Sequence, residues 1–361
     1  MNKKRILIIS TVGLTYDGIT NIICSYLEAM DLTQLEIYLA GTIKVETSIK
    51  DKLELLECKV IVLPNRRKET LKYFIDLIKL IKDKEIQVVH AHGNSTTLII
   101  ELLAAWLGGA KKRIAHSHNT RCNHVIANRM LRPFFNALYT DAVACGEVAG
   151  KWLFGGRCFK VLTNGRDIER YTFKPDIRAK MRKRYNLTNE LILGHVGGFV
   201  EQKNHVFLIK IFREILKKDK NVKLFLIGDG PLKSHIDELT RDISNYIVFV
   251  GTTNHVEDYL QMMDVMILPS LFEGLPLVTI EWQINGLPCL VSDNVTKNCS
   301  VSDYVKFISP NVEALKWAEQ ILELRISKNR VQQSAIGAKK AALSGFDISK
   351  NADDLLQLYI G

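Results

Sequence analysis

Short runs of β-branched and aliphatic residues alternate along this chain with segments whose apolar positions recur at helical spacing. Runs at 5–10, 36–40, 59–63, 88–92, 113–116, 142–145 and 159–162 read as strands. Helical patterns such as 19–30, 68–82 and 97–107 lie between them. The alternation restarts with runs at 191–197, 223–228, 247–250, 265–268, 289–292 and 306–308. This pattern predicts an α/β class with parallel sheets and crossover helices. Residues 176–189 are dense in Lys and Arg and poor in strand formers, and 165–189 is taken as the connection between two halves. A break at Ser344-Gly345-Phe346 precedes a last helix over 348–359. No internal repeat or low-complexity segment interrupts the pattern.

Length agrees with two halves, since 361 residues exceed one typical core and suit two domains of about 150–180 residues. Composition is ordinary for a soluble protein, with 47% apolar and 24% charged residues. The seven cysteines include no C-x-x-C pair, which argues against a disulfide framework or a zinc site. Lys3-Lys4-Arg5 followed by Ile6 to Ile9 mimics a signal peptide, but the apolar run is too short and no cleavage site follows. The longest apolar stretch, 98–109, contains Glu101 and is too short to span a bilayer. A cytoplasmic location without a transmembrane segment is therefore expected.

Charge adds a partner class. Counting Lys and Arg against Asp and Glu puts +8 on residues 1–170 and +2 on the remainder, the chain's net +10. The stretches 65–84 and 121–132 contribute much of it. Such a first half suits an anionic membrane surface or a diphosphate-bearing lipid, although solubilising lysines would give the same count. No nucleic-acid motif accompanies the charge, so nucleic acid is not an expected partner.

The most informative stretch is 273–281, where Glu273 and Glu281 stand eight residues apart around a helix start. A buried strand at 264–268 precedes it, and Asn285-Gly286 supplies the stop. Pro276 suits the first turn, and the N–H groups of Leu277 and Val278 are left to favour an anion. One carboxylate would reach a sugar hydroxyl and the other a ribose hydroxyl. That is a site for a sugar joined through phosphate to a nucleoside.

Together with 88–92, 112–119, 163–165, 194–197, 202–205 and 226–232, this E-x7-E arrangement resembles the retaining GT-B glycosyltransferases of family GT4. The resemblance covers nearly the whole chain and is closest to the bacterial exopolysaccharide and capsule branch. It implies two Rossmann-like domains facing a cleft. Residues 1–170 would bind the acceptor and 171–345 the nucleotide-sugar, with a C-terminal helix at 346–361 returning to the first domain. Ligands of open parallel sheets bind at the carboxyl ends of strands, and each motif falls at such an end.

By this resemblance Glu273, Lys203 and His116 are the catalytic candidates, Glu273 orienting the donor sugar and His116 contacting it near the cleaved bond. Gly18, Gly198, Gly228, Gly230, Val250, Gly274, Leu275, Leu277, Val278 and Glu281 would line the donor. His92 and His118 are acceptor-side candidates, and His118 also competes with His116 for its role. A structural, hydrogen-bonding histidine remains open for each. The glycines at 228 and 230 are explained equally by a plain strand-to-helix turn. Lys203 is also readable as a solvated helix-start lysine.

The family grips the donor diphosphate with an arginine after the Val-Gly strand end, and here that position is Gly198. Either another basic residue substitutes, or the enzyme is weak, or the chain is a non-catalytic nucleotide-sugar-binding subunit. No D-x-D pair follows a strand as metal-dependent glycosyltransferases require, so no metal and no cofactor are expected. The implied donor is UDP-linked, and the implied acceptor is a saccharide or an undecaprenyl-diphosphate-linked saccharide. Peripheral contact with the inner face of the plasma membrane is expected. A nicotinamide dehydrogenase would need G-x-G-x-x-G after the first strand, and 10–15 lacks it.

Overall fold

Strands that are apolar on both faces must be covered on both, and crossover helices do this here. A computed structural model describes the chain apart from residues 1–2, 16, 43, 120–124 and 325–328. Its contacts separate two units, residues 1–165 with 348–361, and residues 166–347. In the first unit, β1 (Lys4–Ser10), β2 (Leu35–Gly41), β3 (Lys59–Val62), β4 (Val88–Gly93), β5 (Lys112–Ser117), β6 (Asp141–Ala144) and β7 (Lys160–Val161) form a parallel sheet. Its order is β3-β2-β1-β4-β5-β6-β7. In the second unit, β8 (Leu191–Val196), β9 (Val222–Ile227), β10 (Ile247–Gly251), β11 (Val265–Leu268), β12 (Cys289–Ser292) and β13 (Val305–Ile308) are also parallel. Their order is β10-β9-β8-β11-β12-β13. Both sheets are Rossmann-like, and each reverses its winding once, between β1 and β4 and between β8 and β11.

Alternation along β8 and β9 divides the second core. Leu191, Leu193, Leu224 and Leu226 face one cluster, and Ile192, Val196, Phe225 and Ile227 face the other. Every strand lies within a residue of its predicted bounds; β8, β11 and β12 are buried along their whole length, while the edge strand β3 exposes Lys59 and Val62.

The segment 165–189 differs from expectation. Past Gly165 it belongs to the second unit and forms helices Ile168–Tyr171 and Pro175–Arg184, with Met181 and Leu187 buried. Two of its arginines are engaged in packing: Arg178 binds Asp264 at 2.6 Å and donates to the Met263 carbonyl, and Arg182 donates to the Glu190 carbonyl. The last helix, Ile348–Ile360, packs on helix Gly18–Ala29 of the first unit.

Glu101, the charge interrupting the apolar run at 98–109, is buried. It accepts from Arg66 Nε at 2.6 Å and from the Tyr73 hydroxyl at 2.9 Å. Arg66 therefore holds the core together and is not part of an exposed basic patch. Among the described residues no helix is long and apolar enough to cross a membrane.

Candidate functional site

In the second unit the reversal of winding makes β8 and β11 neighbours, so the loops after them meet. Lys203 follows β8 and Glu273 follows β11. Lys203 Nζ donates to Glu273 Oε1 at 2.6 Å, with both side chains largely buried. Gln202 Nε2 donates to the other carboxylate oxygen at 2.9 Å, and the Ser270 hydroxyl donates to Oε1 at 3.0 Å. Three donors thus fix the carboxylate in one orientation. Lys203 uses one of its three N–H groups on Glu273.

Gly198 stands in the loop after β8 without a left-handed backbone. A Cβ placed there meets only the Asp229 carbonyl oxygen, at 3.6 Å. Gly228 and Gly230 are different. A Cβ on Gly228, at φ +138°, would lie 2.2 Å from the Gly197 carbonyl oxygen, and one on Gly230 would lie 2.7 Å from Phe199 N. The loops after β8 and β9 touch backbone to backbone, and this contact by itself requires glycine at both positions. Val250 lies in β10 and packs half-buried against the core.

Pro276 is the N-cap of helix Leu277–Ile284, and Asn285 with Gly286 at φ +71° ends it. Gly274 has open space around it, while Leu275, Leu277 and Val278 pack inward. The first N–H groups of this helix have no intrahelical acceptor. Glu281, about one turn on, is buried and accepts from Arg166 Nε at 2.6 Å. Burial raises its pKa and the Arg166 guanidinium opposes the rise. Nothing in the sequence marked Arg166 beyond its place after 163–165.

In the first unit the neighbouring strands β4 and β5 carry His90, His92 and His116, with His92 directly opposite His116, and His118 follows just past the end of β5. His92 Nδ1 and His118 Nε2 are 2.7 Å apart; His90 Nε2 and His116 Nδ1 are 3.1 Å apart. His90 Nδ1 lies 2.7 Å from the hydroxyl of Tyr359 on the last helix. Burial holds all four rings well below the usual imidazole range. His118 is at about 4, with the Asp17 carboxylate opposing the shift. His116 is 0% exposed, and its Nε2 has no hydrogen-bond partner. His118, half-buried beyond the end of β5, is the ring nearest the mouth of the strands, while His116 and His92 lie buried within β5 and β4. Gly18 begins a helix capped by Asp17, whose carboxylate accepts from Ile19 N at 2.8 Å.

The model of the family described as "Glycosyl transferases group 1" matches residues 190–325. EpsF of Bacillus subtilis, assigned to the glycosyltransferases, is 34% identical over 292 residues, 75% of this chain and 74% of that one. The UDP-Gal:α-D-GlcNAc-diphosphoundecaprenol α-1,3-galactosyltransferase of Escherichia coli is 27% identical over 80% of this chain and 79% of its own. HepE of Anabaena, solved in complex with UDP, superposes with a TM-score of 0.76 at 17% identity, covering 98% of this chain and 99% of HepE. The chain belongs to the group 1 glycosyltransferases and has their GT-B fold.

Proposed function

We propose that the chain moves a sugar from a UDP-linked donor to a saccharide carried on undecaprenyl diphosphate, in the assembly of a bacterial surface polysaccharide. The observation that carries this is the Lys203–Glu273 pair at the point where the second sheet reverses, with Glu281 eight residues on in a family member. The galactosyltransferase relative supports the donor and acceptor classes by its name, and HepE supports a uridine diphosphate.

In this reading Lys203 and the N–H groups opening helix Leu277–Ile284 take the diphosphate. They stabilise the charge that builds there as the glycosidic bond breaks. Glu273, held by Lys203, Gln202 and Ser270, orients the sugar hydroxyls. Glu281 accepts from the ribose while keeping its bond to Arg166. A donor phosphate oxygen takes the acceptor's proton on the face the leaving group vacates, so configuration is retained, without a metal. In the first unit this reading takes His118 as the ring that contacts the acceptor.

Docking on anionic membrane belongs to the same reading. Val125, Ile126, Met130 and Phe134 are 63–78% exposed along the two helices Val125–Met130 and Arg132–Leu138, beside Arg129. Arg121, also in this basic stretch, lies outside the described residues.

Gly198 supports a second reading, a subunit that binds the donor without turnover. A panel of nucleotide sugars decides between them, with binding by thermal shift and hydrolysis and transfer measured separately. Transfer from a UDP-sugar to a lipid-diphosphate acceptor is expected. Binding without hydrolysis or transfer selects the second reading, and neither binding nor turnover sinks both.

A further inference from the structure

Four histidines and a tyrosine in one buried cluster exceed what a single substrate contact needs. The rings form two hydrogen-bonded pairs, His92–His118 and His90–His116, and the pairs lie against each other, with centroids 4.1 Å apart between the tilted rings of His90 and His92 and 4.2 Å apart between the stacked rings of His116 and His118. A neutral imidazole has one N–H and one bare nitrogen, so the group bonded to one nitrogen decides what the other presents. His118 Nε2 is held by His92 Nδ1, which leaves Nδ1 to meet a ligand. His92 is 3% exposed in the body of β4, and Thr11 N and Oγ1 both donate to its carbonyl, so it has little room to move. We propose that His92 is a positioning residue whose bond locks the tautomer and ring orientation of His118. Behind it the Tyr359–His90–His116 chain completes a rigid, uncharged platform. This rests on the reading of His118 as the substrate-facing ring. It ties that ring to the C-terminal helix through stacking and not through a proton path, since no hydrogen bond joins the two pairs among the described residues.

His92→Phe keeps a ring in the stack and removes the nitrogen, while His92→Asn restores a polar atom near the Nδ1 position. Long-range nitrogen–proton NMR with 15N-histidine should show a single His118 tautomer in the wild type. A mixture is expected in His92→Phe and a return to one form in His92→Asn. This readout needs no donor, so it stands even where the transferase reading fails. With a donor in hand, kcat should fall about 2–10-fold in His92→Phe at nearly unchanged KM, the scale of one misplaced neutral hydrogen bond to the reacting substrate, and recover in part in His92→Asn. A lower melting temperature with kcat and tautomer unchanged would make His92 merely structural. Stoichiometric zinc in the purified protein would also overturn the proposal. The ligand atoms of His90, His92 and His116 lie within 4.8 Å of one another, and an ion there would replace the hydrogen bonds.

Discussion

Replacing Gly198 by arginine tests the donor site at the position where it departs from the family pattern. The backbone at Gly198 lies outside the left-handed region, and its Cβ meets one atom, the Asp229 carbonyl oxygen, at ordinary contact distance. Gly198→Arg should therefore fold with a melting temperature close to wild type, whereas Gly228→Ala should not, because its Cβ falls 2.2 Å from a backbone oxygen. Lys203 already donates to Glu273 at 2.6 Å, so part of its charge is compensated before any phosphate arrives. A guanidinium beside it adds a charge-assisted bond worth about 1.5–3 kcal/mol, which is roughly 10–150-fold in affinity. Titration calorimetry with UDP, for wild type, Gly198→Ala and Gly198→Arg, reads the effect directly. The gain should appear in the arginine variant alone and shrink as salt rises. A stable arginine variant that binds UDP no better would refute the reasoning, and would mean that another group already neutralises the diphosphate.

Glu281→Gln should weaken UDP binding by about 1–3 kcal/mol while keeping a neutral bond to Arg166; unchanged affinity removes Glu281 from the site. Glu281→Ala should also destabilise the second unit by about 1.5–3 kcal/mol, because it removes a largely buried, charge-assisted bond to Arg166, and a melting curve checks this. His90, His92, His116, His118, His195 and His205 all titrate below the usual imidazole value, His118 and His205 at about 4. Their unfolded forms bind protons first, so stability is full above about pH 6.5 and falls below it, by up to about 1.4 kcal/mol per histidine per pH unit. A melting temperature constant from pH 7.5 to 5 would contradict buried, neutral rings. Binding to anionic vesicles should be strong at low salt and weaken when Ile126 and Phe134 become serine; variants that bind as before would remove these helices from any membrane contact.

The periodicity of the chain was enough for the strands, the parallel class and the helix stop at Asn285-Gly286. Each of these is set by residues within a few positions of one another. Glu273 and Lys203 were legible as candidates through the resemblance of their stretches to the family's motifs, with their strand-end positions in agreement. Their pairing was not, since it depends on β8 lying next to β11 and joins residues 70 positions apart. The same holds for Arg166 against Glu281, and for Tyr359 against His90. The basic run at 165–189 looked like a linker because its charges resemble solvated ones. Only the fold shows Arg178 turned onto Asp264 and the Met263 carbonyl. Likewise His116 and His118 are equivalent as letters two positions apart, and burial at the end of β5 is what separates them. Local pattern determined the elements and the types of chemistry at their ends. Which partner each polar group took, and which ring met solvent, waited on the sheet order, because burial and hydrogen bonding are satisfied between strands distant in sequence.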